Sequence, residues 1–291
     1  MNARVMVANA PVSFGVFGLT DVPPPLSADE MVHAVSGAGY EGIDLGPIGY
    51  LSMDRLGGLL LAGGWADLRY GDAEEFERGL PALEATLDVF AAAPAAPFPP
   101  RPTLGCSGSP ERFARPGGSV PGLTASAWPS YAARVQEAAN RCRDRGFEPA
   151  FHHHLGTYVE TPQDVERLLE LTDVPLCLDT GHLLLAGGDP VAALRAWAGR
   201  IGHVHVKDGD TAILAQALAD GADLHELMGR GGFARLGEGE LDLPAVVGTL
   251  DEIGYAGWVV IEQDTLPGRR TVAENIADQA ANRRKLEELG L

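Results

Sequence analysis

Basic side chains, cysteines and long apolar runs are all scarce in this chain of 291 residues. Lys and Arg number 22 against 40 Asp and Glu, a formal charge of -18 with a pI near 4.7. Phosphate backbones are gripped by clustered Lys and Arg, so this balance argues against a nucleic-acid partner. The negative charge is spread over helix-patterned segments and favours solubility rather than marking an acidic tail. Cys106, Cys142 and Cys177 are far apart and form no CxxC pair. Two of them sit in apolar strand-like runs, where buried free thiols are expected; a structural disulfide is not, and a cytoplasmic location follows as an expectation. No apolar run reaches the roughly 18 residues that would suggest a membrane span. The start, Met1-Asn2-Ala3-Arg4-Val5-Met6-Val7, lacks the charged and apolar regions of a signal peptide.

What is present is a mean hydropathy near zero and a 45% hydrophobic share, enough for a sizeable core. Strand-like runs end near Ala8, Leu45, Ala62, Cys106, His152, Leu178, Val206 and Ile261, most of them separated by helix-patterned segments. Ser27 with Glu30 and Thr271 with Glu274 have capping-box spacing, and Thr161-Pro162 and Asp189-Pro190 place a cap before a first-turn proline. Segments 72–90, 124–145 and 191–198 carry helical apolar spacing. Eight strands alternating with helices predict an α/β chain, a (β/α)8 TIM barrel forming a single domain over 1–291. A doubly wound open sheet is the alternative, but Asn9-Ala10-Pro11-Val12-Ser13-Phe14-Gly15 after the first strand is no GxGxxG. The Ala- and Pro-rich stretch 91–102 reads as a stiff connection. Two long connections, 107–123 and 209–236, follow strands and are expected at the catalytic end. The second, with its Gly229-Arg230-Gly231-Gly232 run, is expected over the mouth as a lid that closes on ligand.

The chemistry concentrates at four strand ends. In Phe151-His152-His153-His154 alternate side chains share a face, so His152 and His154 point together and His153 points opposite, toward the helices. Asp179 ends the sixth strand, His205 the seventh and Glu262 the eighth. Carboxylates at buried strand ends are costly unless paired or bound to a cation. Imidazole and carboxylate delivered at one end of a barrel suit a catalytic divalent-metal site. The expected ligands are Asp179, His205 and Glu262 with either His152 or His154, converging at roughly 2.0–2.3 Å on one ion; His152 is favoured, with His154 turned toward substrate. Without thiolate, Mn²⁺, Co²⁺, Zn²⁺ and Mg²⁺ all remain open, and the residues themselves do not choose among them. His203 would lie one layer deeper than His205. His182, three residues past Asp179, can reach back over the site. Strand alternation is read as turning Lys207 away from His205, a structural position, although the strand breaks into a loop at Lys207-Asp208.

These motifs carry a resemblance. The runs 9–15, 42–50, 152–160, 178–182, 203–208, 237–239 and 262–264 are similar to those of the xylose-isomerase-like barrel superfamily of sugar isomerases, epimerases and dehydratases. Within it they resemble most the inosose dehydratases of myo-inositol catabolism. The resemblance implies one divalent metal and a small polyol or keto-sugar substrate, and leaves a homo-oligomer open. Its usual first ligand is Glu, where this chain has His152; that Glu often doubles as a base in isomerases, which weakens a simple isomerase reading. Phe14 stands where the dehydratases tend to have Trp, and Asp44 where they tend to have Glu.

The expected activity is therefore a metal-dependent carbon–oxygen lyase acting on a polyhydroxylated ketone such as inosose through a metal-stabilised enediolate. His154, Glu160 and His182 are the candidates for base and acid, and Lys207 for polarising a substrate oxygen. A ketose epimerase or isomerase of the same superfamily is the alternative, and a non-catalytic sugar-binding barrel the third reading.

Overall fold

The computed structural model describes residues 5–18 and 22–291, so the first four residues of the stretch read for a leader lie outside the described residues. Parallel strands form one sheet: β1 (Val5–Asn9), β2 (Gly42–Ile43), β3 (Leu60–Leu61), β4 (Gly63–Asp67), β5 (Arg101–Gly105), β6 (Ala150–His152), β7 (Leu176–Asp179), β8 (Ile201–Val206) and β11 (Gly257–Ile261). Their order is β3-β2-β1-β11-β8-β7-β6-β5-β4. Only Ala62 separates β3 from β4. Its N–H donates to Ile43 O at 3.0 Å and its carbonyl accepts Arg101 N–H at 3.0 Å, so the two pieces are one staggered strand and the sheet closes into an eight-stranded barrel. The third strand thus runs on to Asp67, past the end expected near Ala62.

Helices follow the strands on the outside: α1 (Ala28–Gly37), α2 (Ala73–Ala92), α3 (Pro110–Ala114), α4 (Trp128–Asp144), α5 (Pro162–Leu171), α6 (Thr180–Leu185), α7 (Pro190–Ala196), α8 (Thr211–Asp220), α9 (Leu224–Gly229), α10 (Leu243–Glu252) and α11 (Val272–Glu288). The capping boxes at Ser27 and Thr271 form as the spacing predicts, and Thr161 and Asp189 cap α5 and α7 ahead of their prolines. Among the described residues, no helix is long and apolar enough to cross a membrane.

Strand alternation divides the core. Val7, Val259 and Ile261 pack in the large cluster that joins barrel and helices, whereas Met6, Ala8, Trp258 and Val260 form a separate cluster with Ala10 and Ala62. His205 is in register with Val260 on one side and with Asp179 on the other, so the imidazole and carboxylate lie side by side. The long connection after β8 is not a glycine-rich loop. It contains a short hairpin, β9 (Asp208–Gly209) with β10 (Phe233–Ala234), around α8 and α9. Leu214, Leu224, Leu227 and Phe233 give it a hydrophobic cluster shared with Leu155 and Leu185. Asp210 and Asp223 cap its helices, a signal that the sequence reading passed over.

Candidate metal and active site

His152 closes β6, and Asp179, His205 and Glu262 sit at or just past the ends of β7, β8 and β11. Each offers a ligand atom within 4.8 Å of the others'. His152 Nε2 is 3.4 Å from Asp179 Oδ2, and His205 Nδ1 is 3.2 Å from Glu262 Oε2 and 3.9 Å from Asp179 Oδ2. Asp179 divides its labour: it is the N-cap of α6, with Oδ1 accepting His182 N–H at 2.9 Å, while Oδ2 turns to the cluster. That cap places His182 in the first turn, over the site.

The residues present fit a divalent ion. Among the described residues, both ring nitrogens of His152 and of His205, with Asp179 Oδ2, are buried without a hydrogen-bond partner, which a native interior seldom tolerates. Burial lowers the His152 pKa to about 3, leaving a neutral imidazole able to give a lone pair. Three buried carboxylates, Asp179, Glu262 and Asp264, surround one ammonium, Lys207. Three carboxylates against one ammonium leave two negative charges that one divalent cation would balance. Without an ion, the burial of His205 is outweighed by Cys177 and Glu262, which hold it above the ordinary imidazole value, and it carries part of that task. Asp44, 3.8 Å from His205 Nε2, is pushed up to about 7 by burial and counts only partly in that balance.

Lys207 is not turned away from the site. It follows His205 by two positions, the strand period that returns a side chain to the same face, and its side chain is buried in the cluster. Burial alone would strip its proton, but Asp179, Asp264 and Glu262 more than offset that and hold its pKa above the ordinary lysine value. Gly181 makes the approach possible, because a Cβ there would stand 2.6 Å from Lys207 Cγ.

Beyond Lys207 lies a second group, His154, His182 and Asp264, also with ligand atoms within 4.8 Å of one another. The His154 and His182 rings are 3.6 Å apart between centroids. His154 Nδ1 lies 2.7 Å from Leu155 O, so it carries the hydrogen and leaves Nε2 as acceptor. His182 Nε2 is 2.9 Å from Lys207 Nζ and accepts from it, which puts the ring hydrogen on the buried, unpartnered Nδ1. Trp65 packs edge-on to His152 and His154, and Phe233, from the connection after β8, to His182.

Glu160 stands apart from this machinery. Its oxygens accept the backbone N–H groups of Gly117, Gly118 and Gly156 at 2.7, 3.2 and 2.9 Å, and Arg112 Nε is 3.6 Å away. It anchors loops. His153 Nε2 accepts Asp179 N–H at 3.1 Å, the structural position expected of it. Asp264, two residues past Glu262 beyond the end of β11, joins the site without a role expected from the sequence.

A family model described as xylose isomerase-like TIM barrel matches residues 65–285. The rhizopine catabolism protein MocC of Rhizobium meliloti is 35% identical over 265 residues, covering 84% of this chain and 79% of that protein. An inosose dehydratase of Geobacillus kaustophilus (strain HTA426) is 38% identical over 148 residues, so this match spans 50% of the chain and about half, 48%, of the enzyme. Among solved structures, the IolI protein with a bound zinc atom aligns with a TM-score of 0.68 at 15% identity, covering 97% of each chain, a likeness of fold.

Proposed function

This chain belongs to the xylose isomerase-like TIM barrel family, and we propose that it is a metal-dependent carbon–oxygen lyase that dehydrates a small polyhydroxylated ketone of the inosose type. Residues 1–291 are read as one barrel domain. His152, Asp179, His205 and Glu262 would hold the ion, Mn²⁺ or Co²⁺ by preference for a mixed nitrogen and oxygen set. Bound there, a divalent ion supplies Lewis-acid stabilisation of negative charge on substrate oxygens next to the carbon that loses its proton.

The observation that carries the reading is the hydrogen-bond state of His154. With Nδ1 committed to Leu155 O, its Nε2 lone pair is free on a half-buried ring. Nε2 takes the α-proton of the ketone, and Leu155 O steadies the imidazolium that results. That imidazolium then protonates the β-hydroxyl, which leaves as water, so the proton is conserved and the base returns to its starting form. Lys207 donates to His182 Nε2 and fixes the tautomer of the ring that lies against His154. Phe233 and Trp65 keep bulk water from these groups. Epimerisation would instead return the proton on the opposite face of the substrate, a step for which His182 and Lys207 rather than Glu160 stand in the site.

The dehydration is tested by incubating metal-loaded protein with inosose and with ketohexoses. A new dione absorbance is expected. An isomeric sugar without dione would make the protein an epimerase or isomerase, and no product from any of them would favour a sugar-binding barrel.

A further inference from the structure

We infer that the Lys207 ammonium is the resident second cation of this centre, and that it holds the site to a single divalent ion. The inference rests on the metal reading above and concerns a residue that reading used only to orient His182. Lys207 is one of two lysines in the chain, beside Lys285, and it is fully buried. Its Nζ has four close neighbours: Asp264 Oδ1 at 2.8 Å, Glu262 Oε2 at 2.9 Å, His182 Nε2 at 2.9 Å and Asp179 Oδ2 at 3.2 Å.

Three carboxylate oxygens and an imidazole nitrogen converging on one point form the donor set of a divalent-metal site. The three hydrogens of the ammonium are met by Asp264, Glu262 and His182, and Asp179 Oδ2, 3.2 Å away without a hydrogen-bond partner, stands beside them as a fourth ligand atom that a lysine does not require. Asp179 Oδ2 and Glu262 Oε2 belong to this set and also to the cluster with His152 and His205. They therefore bridge two cation positions, as carboxylates do where two metal ions sit about 3.5–4 Å apart. His182 and Asp264, grouped with His154, complete the second position from its far side.

Charge explains the occupant. One divalent ion and one ammonium neutralise Asp179, Glu262 and Asp264, whereas a second divalent ion in place of the ammonium would need the Asp44 carboxylate as well. The ammonium also lacks the open coordination position through which a second metal would activate water. A lyase that must not hydrate its product gains from that difference.

Co²⁺ titration followed by metal analysis and by the cobalt absorption bands tests the inference. The native protein should bind one equivalent and Lys207→Ser two. Lys207→Met, which fills the space without charge, should bind one, and the double variant Lys207→Ser with Asp264→Asn should return to one. One equivalent in Lys207→Ser, or a second retained in the double variant, would overturn the inference while leaving the metal reading intact. No Co²⁺ bound by the native protein would overturn the metal reading itself. Should Lys207→Ser fail to fold, the native protein labelled with ¹⁵N-lysine decides. Excess Co²⁺ should leave one equivalent bound and shift a retained Lys207 ammonium signal, whereas two equivalents with that signal lost would refute the inference.

Discussion

Asp179 accepts the backbone N–H of His182 through Oδ1 at 2.9 Å and presents Oδ2 to His152, His205 and Lys207. One carboxylate thus starts a helix and supplies a cation ligand, and the two duties can be separated by substitution. Asp179→Asn keeps an oxygen for the cap and loses the charge; Asp179→Ala loses both. Both variants should lose bound metal, and Asp179→Ala should be the less stable of the two by about 1 kcal/mol, the worth of an N-cap. Metal analysis and urea unfolding check this, and an Asp179→Asn protein with full metal content would remove Asp179 from the ligand set.

The two inward histidines of the triple-His run should behave oppositely. His152→Ala is expected to empty the site. His154→Ala should keep its metal while turnover falls by roughly 10²–10⁴, the usual worth of a positioned acid or base. The reverse result would exchange their roles.

Glu160→Gln should leave turnover within a few-fold of native. Its carboxylate carries three backbone N–H bonds, so the loss should appear in stability, roughly 1–3 kcal/mol for weakened or unmade buried bonds. A collapse of turnover at unchanged stability would restore Glu160 to the catalytic set.

Asp208 ties down the connection after β8: it accepts the N–H groups of Gly209, Gly237, Gly239 and Leu241 at 2.8–3.1 Å. Gly239 lies so close that a Cβ there would collide with that carboxylate. The connection is therefore expected to be a fixed roof rather than a lid. In Asp208→Ala, hydrogen exchange over 208–241 should accelerate while the barrel strands stay protected. Equal exchange in native and variant protein would deny Asp208 this role.

Burial pushes the Cys106 thiol up to about 11 and Cys142 up to about 12. Thiolate is the reactive form, so both should resist alkylation at pH 8 until the chain unfolds. The linkage has a definite sign. Folded pKa values above the unfolded value of 9.0 give stability that is present below that value and lost as pH rises toward 11–12. Alkylation of these residues in folded protein at the rate of a free thiol would contradict this.

By itself the sequence determined the barrel and the residues at its mouth. Period-two alternation needs no partner strand to state which side chains share a face, and it placed His152 with His154, and Glu262 at the end of an apolar strand. Capping spacing located the starts of α1, α5, α7 and α11 for the same local reason. Tertiary structure alone decided the rest, because those contacts join residues far apart in the chain. Glu160 meets Gly117 and Gly118 across more than 40 positions, contacts that no local spacing announces. Lys207 and Asp264 acquire their meaning only when β7, β8 and β11 deliver their ends to one point. Buried charge is costly singly and tolerable in balance, and only the assembled barrel can show which charges balance which.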